Sequence, residues 1–263
     1  MSDTSKWSDL MIRLGSAAMM VLIGLLALTF GGHVFHVLVA IICGLMIWEL
    51  VRMVAPLNAP LALQLGALSA VASFVAIYIP TSFALPLLLA PAFVGFVSLV
   101  RNRVVYMIFS VMVLLAGFGM MSVRDDLGFI WMLWLIVTVV ATDALGYFAG
   151  RMIGGPKFWP AVSPKKTWSG TAFGWLGAAI SGWGFAVYTG ASMELIWISV
   201  AIAMASQMGD IAESAIKRKM GVKDSSSLIP GHGGVLDRFD GMLGAAVFLL
   251  IVGRIIGFPP GLV

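Results

Sequence analysis

Trp131-Met-Leu-Trp-Leu-Ile-Val-Thr-Val-Val-Ala-Thr142-Asp143-Ala-Leu-Gly146-Tyr-Phe-Ala-Gly150 is a run of twenty residues with a single charged member. A helix of that length reaches about 30 Å, the thickness of a bilayer's hydrocarbon layer, so the stretch predicts a membrane-crossing helix. Asp143 is the anomaly inside it. A carboxylate centred in such a helix costs about 2.5–3.5 kcal/mol on insertion scales and needs compensation. A basic partner would supply it, and so would a cation or a substrate in a polar cavity near the inner end of the span. Thr142, Gly146 and Gly150 are small enough to let another helix or a ligand come close.

The rest of the chain extends the same reading. Its 263 residues are 60% apolar and only 11% charged, with a mean hydropathy of +1.03, far from the balance of a soluble domain. Further apolar runs predict spans near 11–30, 34–51, 60–78, 82–100, 104–121, 127–150, 170–188, 193–208 and 241–258. The expected fold is all-α, a polytopic transmembrane bundle of about nine spans. The first run, with Lys6 and Arg13 at its start, is too long for a usual signal-peptide core and reads as a retained helix. Residues 1–126 read as an N-terminal set of about five spans, and residues 127–263 as a region with two long polar loops, 151–169 and 209–240. Cys43 is the only cysteine, so no intramolecular disulfide can form, and its apolar surroundings suit a small buried hydrophobe.

Placing the N-terminus in the cytoplasm puts 14 of the 16 Lys and Arg residues on the inner side, with Arg124 and Arg254 left outside. That asymmetry predicts a cytoplasmic N-terminus, both long loops in the cytoplasm, and, with nine spans, an outer C-terminus. His33 and His36 then fall near the outer interface and read as solvated or interfacial side chains rather than metal ligands.

The loops carry the chemistry. Gly150-Arg151-Met-Ile-Gly-Gly-Pro-Lys157 leads to Ser163-Pro-Lys165-Lys166-Thr-Trp-Ser-Gly170, with four cations and no acid. The spacing does not fit a P-loop, since Pro156 stands where the lysine would be required. Attraction to anionic headgroups would explain a basic loop at a membrane surface, while the glycines and the hydroxyls beside the lysines favour phosphate recognition. In the second loop Asp210, Glu213, Ser214 and Lys217 recur at three- and four-residue steps, so they share one helical face if the eighth helix continues inward. Asp237 and Asp240 project together from the first turn of the ninth helix, where negative charge suits the helix dipole. Hard oxygen donors without a Cys or His cluster suit Mg²⁺ rather than zinc. His232, set among glycines, could be a general acid or base, a phosphate contact or a loop hydrogen-bonder.

The stretch from Ser214 to Asp240, with Lys217-Arg218, Lys223-Asp224, Pro230-Gly-His232-Gly-Gly and Asp237-Arg238-Phe-Asp240, closely resembles the signature of phosphatidate cytidylyltransferases. Gly209-Asp210, Ser163-Pro-Lys-Lys-Thr-Trp and Thr142-Asp143 through Gly150-Arg151 look like the same family's other motifs in the same order. The likeness thus covers Asp143 to Asp240, with departures at Ser169, Ser226, Ser227 and Gly241.

The resemblance implies transfer of CMP from CTP to phosphatidate at a multi-pass bacterial-type inner membrane, with the site facing the cytoplasm. It implies catalytic roles for Asp210, Asp237, Lys217, Arg218 and His232, and substrate contacts from Lys165, Lys166, Lys223, Arg238, Ser163 and Arg151. Asp210 and Asp237, supported by Asp143 and Asp240, would hold one or two Mg²⁺ ions, with room for a monovalent cation. The partners are then CTP, phosphatidate and the bilayer, with no nucleic acid; a homodimer is compatible with the sequence but not defined by it.

Two rivals start from the same residues. A transporter or channel could use Asp143 as an ion ligand, but it predicts polar residues in several spans and repeat symmetry, whereas the charges concentrate in two loops. A CDP-alcohol phosphotransferase needs further acids after Asp240-Gly241, and none follows.

Overall fold

The computed structural model describes residues 3–261, with side chains from Met11 onward, so Lys6 lies outside the described side chains. Those residues form nine α-helices, a π-helical turn and one small hairpin. The helices are α1 (Asp3–Phe30), α2 (Gly32–Val54), α3 (Ala59–Ala76), α4 (Thr81–Ser98), α5 (Arg103–Ser122), α6 (Phe129–Met152), α7 (Trp168–Thr189), α8 (Leu195–Lys219) and α9 (Leu236–Val252). Each of the nine expected segments contains a helix, although the ninth ends at Val252, six residues short of the expected 258. Seven of the helices are long and apolar enough to cross a membrane. The exceptions are α7, diluted by Gly, Ser and Trp, and α9, which has 17 residues. Two features depart from expectation. The basic loop contains an antiparallel hairpin of β1 (Lys157–Trp159) and β2 (Ser163–Thr167), and α9 begins at Leu236, five residues before the expected span.

The chain divides into two compact units, Met1–Phe129 with Lys219–Phe239, and Ile130–Arg218 with Asp240–Val263. In the first unit α2 is the central helix, packed on α1, α3 and α5. Its contact with α3 is made by backbone: a methyl group on Gly44 would lie 2.8 Å from the Gly66 carbonyl oxygen, and one on Gly66 would lie 2.8 Å from that of Gly44. Small residues in such positions replace the hydrophobic drive that is missing between helices in lipid. Ile47, Leu50, Leu65, Tyr106 and Leu114 fill the surrounding core. Cys43 lies in it as a buried thiol.

His36 narrows one expectation. Of the two expected settings, solvated or interfacial, it is not solvated: the ring is buried, and its two nitrogens face the Tyr78 hydroxyl at 2.7 Å and the Asp125 carboxylate at 2.9 Å. The π-helical turn Val123–Leu127 presents Asp125, and it also lets Arg124 donate to the Leu28 carbonyl at 2.9 Å.

In the second unit α7 lies against α6 through Gly170, whose added Cβ would meet the Gly146 carbonyl oxygen at 2.6 Å. The close approach expected beside Gly146 is therefore made by another helix. Trp134 of α6 is fully buried and donates from Nε1 to Ser199 of α8 at 2.9 Å.

Candidate active site

In the second unit, α6, β2, α7 and α8 enclose a cavity of about 490 Å³, within the size range of small-molecule sites. Asp143 and Arg151 reach it from α6, Ser163, Lys165 and Lys166 from β2, and Asp210 from α8. Six residues singled out from the sequence thus share one cavity, although 67 positions separate Asp143 from Asp210. The hairpin explains how the lysines get there. Pairing of Lys157 with Thr167 folds the basic loop back on itself, and Thr167 then caps α7 by accepting from the Gly170 amide at 3.1 Å.

The centre of the cavity is an ion pair. Lys166 Nζ donates to Asp210 Oδ2 at 2.7 Å and to the Gln207 carbonyl at 3.4 Å, while the Ser214 hydroxyl donates to Asp210 Oδ1 at 3.3 Å. Asp143 lies in the electrostatic field of both Asp210 and Lys166, and Asp240 lies in that of Asp210, Asp143 and Lys217. Asp143 and Asp210 thus share the cavity with three cations, Arg151, Lys165 and Lys166, and this net positive lining suits an anionic ligand.

The α8 extension expected from the spacing is present as far as Lys219, and it places Lys217 Nζ 2.6 Å from Glu213. Lys217 and the exposed Arg218 line neither this cavity nor the one in the first unit. Gln207 was missed in the sequence. It accepts from Trp175 Nε1 at 3.0 Å and donates to the Thr171 carbonyl at 3.4 Å, bracing the cavity wall. Its one signal was a lone amide in an apolar run.

The remaining candidates lie in the first unit. Lys223, Asp224, Ser226, His232 and Arg238 line a cavity of about 680 Å³ together with Arg13 of α1. The His232 turn is closed by two backbone bonds, Ile229 N–H to the Gly233 oxygen at 2.8 Å and His232 N–H to the Ile229 oxygen at 2.9 Å. Gly231 and Gly233 have φ of +74° and +86°, which side chains with a Cβ rarely adopt. Ser16 of α1 orients the ring: its hydroxyl donates to the Pro230 carbonyl at 3.1 Å and shares a 2.8 Å hydrogen bond with His232 Nδ1.

Asp237 is built into this loop. Its Oδ2 accepts from Gly234 N–H at 2.8 Å, from Ser225 N–H at 2.9 Å and from the Ser225 hydroxyl at 2.9 Å. Glu49 of α2, absent from the sequence-based candidates, meets the same loop. Its Oε1 accepts from the Ser226 hydroxyl at 2.6 Å and Val235 N–H at 2.8 Å, and its Oε2 from Leu236 N–H at 2.7 Å, while the Ser225 hydroxyl, 3.1 Å from Oε2, shares its one proton between Glu49 and Asp237.

Hard oxygen donors at Asp143, Asp210 and Asp240 fit Mg²⁺ in kind. Among the described residues no three His, Cys, Asp or Glu side chains converge on a single metal position. That is compatible with an ion that takes one or two carboxylates and completes its shell from substrate phosphates and water.

A helical membrane bundle with a polar cavity of paired acids and cations defines a class of proteins that handle charged groups at a bilayer. Within that class the chain belongs to the cytidylyltransferase family, whose model matches residues 11–256. It is 42% identical over 153 residues to a phosphatidate cytidylyltransferase of Brucella abortus, covering 55% of this chain and 56% of that protein. A Helicobacter pylori protein of the same name is 40% identical over 134 residues, half of each chain, and one from Mycobacterium tuberculosis is 36% identical over 145 residues, 53% of this chain and 43% of the other. The matched segments thus span about half the length of these relatives, or somewhat less. Family membership and the apolar helices together make this a multi-pass membrane protein.

Proposed function

We propose that the chain transfers CMP from CTP to phosphatidate, forming CDP-diacylglycerol and releasing pyrophosphate. The observation that carries this reading is the cavity of the second unit, where Arg151, Lys165 and Lys166 stand beside Asp143 and Asp210. The relatives' names support the choice of nucleotide and lipid.

A phosphate monoester has a second pKa near 6, so the lipid phosphate is largely dianionic at neutral pH and its oxygen needs little help from a base. That oxygen attacks the α-phosphorus, the bond from the α-phosphorus to the bridging oxygen breaks, and the electron pair leaves with pyrophosphate. The obstacle is repulsion, because two anionic reactants meet at contact distance. Lys165, Lys166 and Arg151 neutralise nucleotide phosphates, and Lys223, Arg238 and His232 offer further phosphate contacts in the first unit. Lys166 is already aligned by Asp210, so its ammonium is oriented before substrate arrives. Asp143, Asp210 and Asp240 would hold one or two Mg²⁺ ions. Bound there, the ion supplies charge neutralisation on the triphosphate. Asp237, expected among the ligands, belongs to the first unit and has its Oδ2 taken by three loop donors, so we assign it to the loop instead.

The distribution of Lys and Arg supports a cytoplasmic placement of both loops. CTP then arrives from water, while the acyl chains of phosphatidate stay in the bilayer.

Purified protein supplied with phosphatidate, CTP and Mg²⁺ is expected to form CDP-diacylglycerol, to stop in excess chelator and to recover when Mg²⁺ is restored. Absence of product with active-site lysines intact would reject the activity. Full turnover in chelator would reject the metal while leaving the activity standing.

A further inference from the structure

Glu49 lies inside an apolar helix and is 0% exposed, yet it makes no use of helix packing for its carboxylate. All four of its partners belong to one loop. Two of them, Ser225 and Ser226, stand at the start of that loop, and the other two, Val235 and Leu236, stand at its end, where α9 begins. Between these two pairs runs the His232 turn, and just outside them stand Lys223 and Arg238. A single side chain thus buckles together the two ends of the segment that lines the first unit's cavity.

The partners also explain why the residue is an acid. Val235 and Leu236 offer backbone N–H groups, one to each oxygen, and those can only donate. The Ser226 hydroxyl accepts from Leu228 N–H at 3.1 Å, so its own proton is free to point at Glu49. An ionised carboxylate has about four acceptor positions and no donor, which matches this set. Glutamine does not match it in either orientation, since its NH₂ would face Val235 N–H or Leu236 N–H.

We propose that Glu49 is a positioning residue, a buried carboxylate buckle that holds the 225–236 loop in the shape that presents His232, Lys223 and Arg238 to an anionic substrate. Its catalytic meaning rests on the activity proposed above. Glu49 touches no reacting atom; it acts through the loop.

The test uses the full chain in lipid nanodiscs, as wild type, Glu49→Gln, Ser226→Ala and the double variant, read by amide hydrogen exchange and by CDP-diacylglycerol formation. Glu49→Gln is expected to speed exchange across residues 225–236 at least about tenfold while α4 and α6 stay protected. It is also expected to lower kcat/KM by about tenfold or more. Ser226→Ala removes one hydroxyl donor and keeps the acid, so it should cost about threefold, and it should cost nothing more in the Glu49→Gln background.

Unchanged exchange in Glu49→Gln would overturn the buckle. Faster exchange with wild-type kcat/KM would overturn its positioning role, as would additive losses in the double variant. Should Glu49→Gln fail to fold, Ser226→Ala decides alone: a loss of kcat/KM with local loosening of the loop supports the buckle, and wild-type behaviour in both overturns it. Should the wild type form no CDP-diacylglycerol, the proposed activity falls, and the exchange measurements still decide whether Glu49 holds the loop.

Discussion

The two units use their acids in opposite ways. In the first, Glu49 and Asp237 are buried, and both are committed to loop amides and hydroxyls, so their negative charge is absorbed by the protein itself. In the second, Asp210 is about one-third exposed, opens onto a cavity, and shares its site with Asp143 and the ammonium of Lys166. The lesson is that a carboxylate's role follows from its donors. One ringed by backbone N–H groups shapes the chain, and one left facing a cavity is available to a ligand.

Substitutions can break that contrast. The largest effect is expected for Asp210→Asn, which should reduce CDP-diacylglycerol formation by about 100-fold or more while the thermal unfolding midpoint in detergent barely moves. A large fall in that midpoint would mean that Asp210 is architectural after all. Asp237→Asn should do both kinds of damage. Losing charge-assisted bonds at a buried position is expected to lower stability by about 1–3 kcal/mol, seen as a lower midpoint together with earlier proteolysis near His232. Activity lost with stability unchanged would move Asp237 to the ligand-facing group.

Smaller changes sharpen the comparison. Lys166→Met should raise the KM for CTP by about tenfold with little change in stability, because a partly exposed ion pair contributes about 1 kcal/mol at most. Smallest of all, Ser16→Ala should lower kcat/KM by about two- to threefold, the loss of one neutral hydrogen bond that orients His232. A wild-type rate would show that the ring needs no such support.

Helices were legible because lipid imposes one rule, that backbone polar groups be satisfied within the segment, and long apolar runs meet it only as helices. The cavity of the second unit was legible for a related reason: Asp143 in an apolar helix and two lysines beside glycines are conspicuous against such a background. The hairpin was not, since Pro160 and Pro164 interrupt any strand-like alternation between Lys157 and Thr167. Glu49 was not either. One helical turn before Arg52, it resembles an ordinary acid at a membrane boundary, and only the fold brings Ser225 and Leu236 to it. Long-range pairing of this kind, 176 positions apart for Glu49 and Ser225, leaves no periodic trace.

The backbone contact between Gly44 and Gly66 has a thermodynamic consequence of its own. It carries no formal charge, so it is indifferent to ionic strength, whereas the attraction between exposed cations and phosphates weakens as the Debye length shrinks from about 10 Å at 0.1 M salt to about 3 Å at 1 M. Salt can therefore be raised until substrate capture fails while the α2 and α3 scaffold stays assembled, so inhibition of this protein by salt should be reversible on dilution.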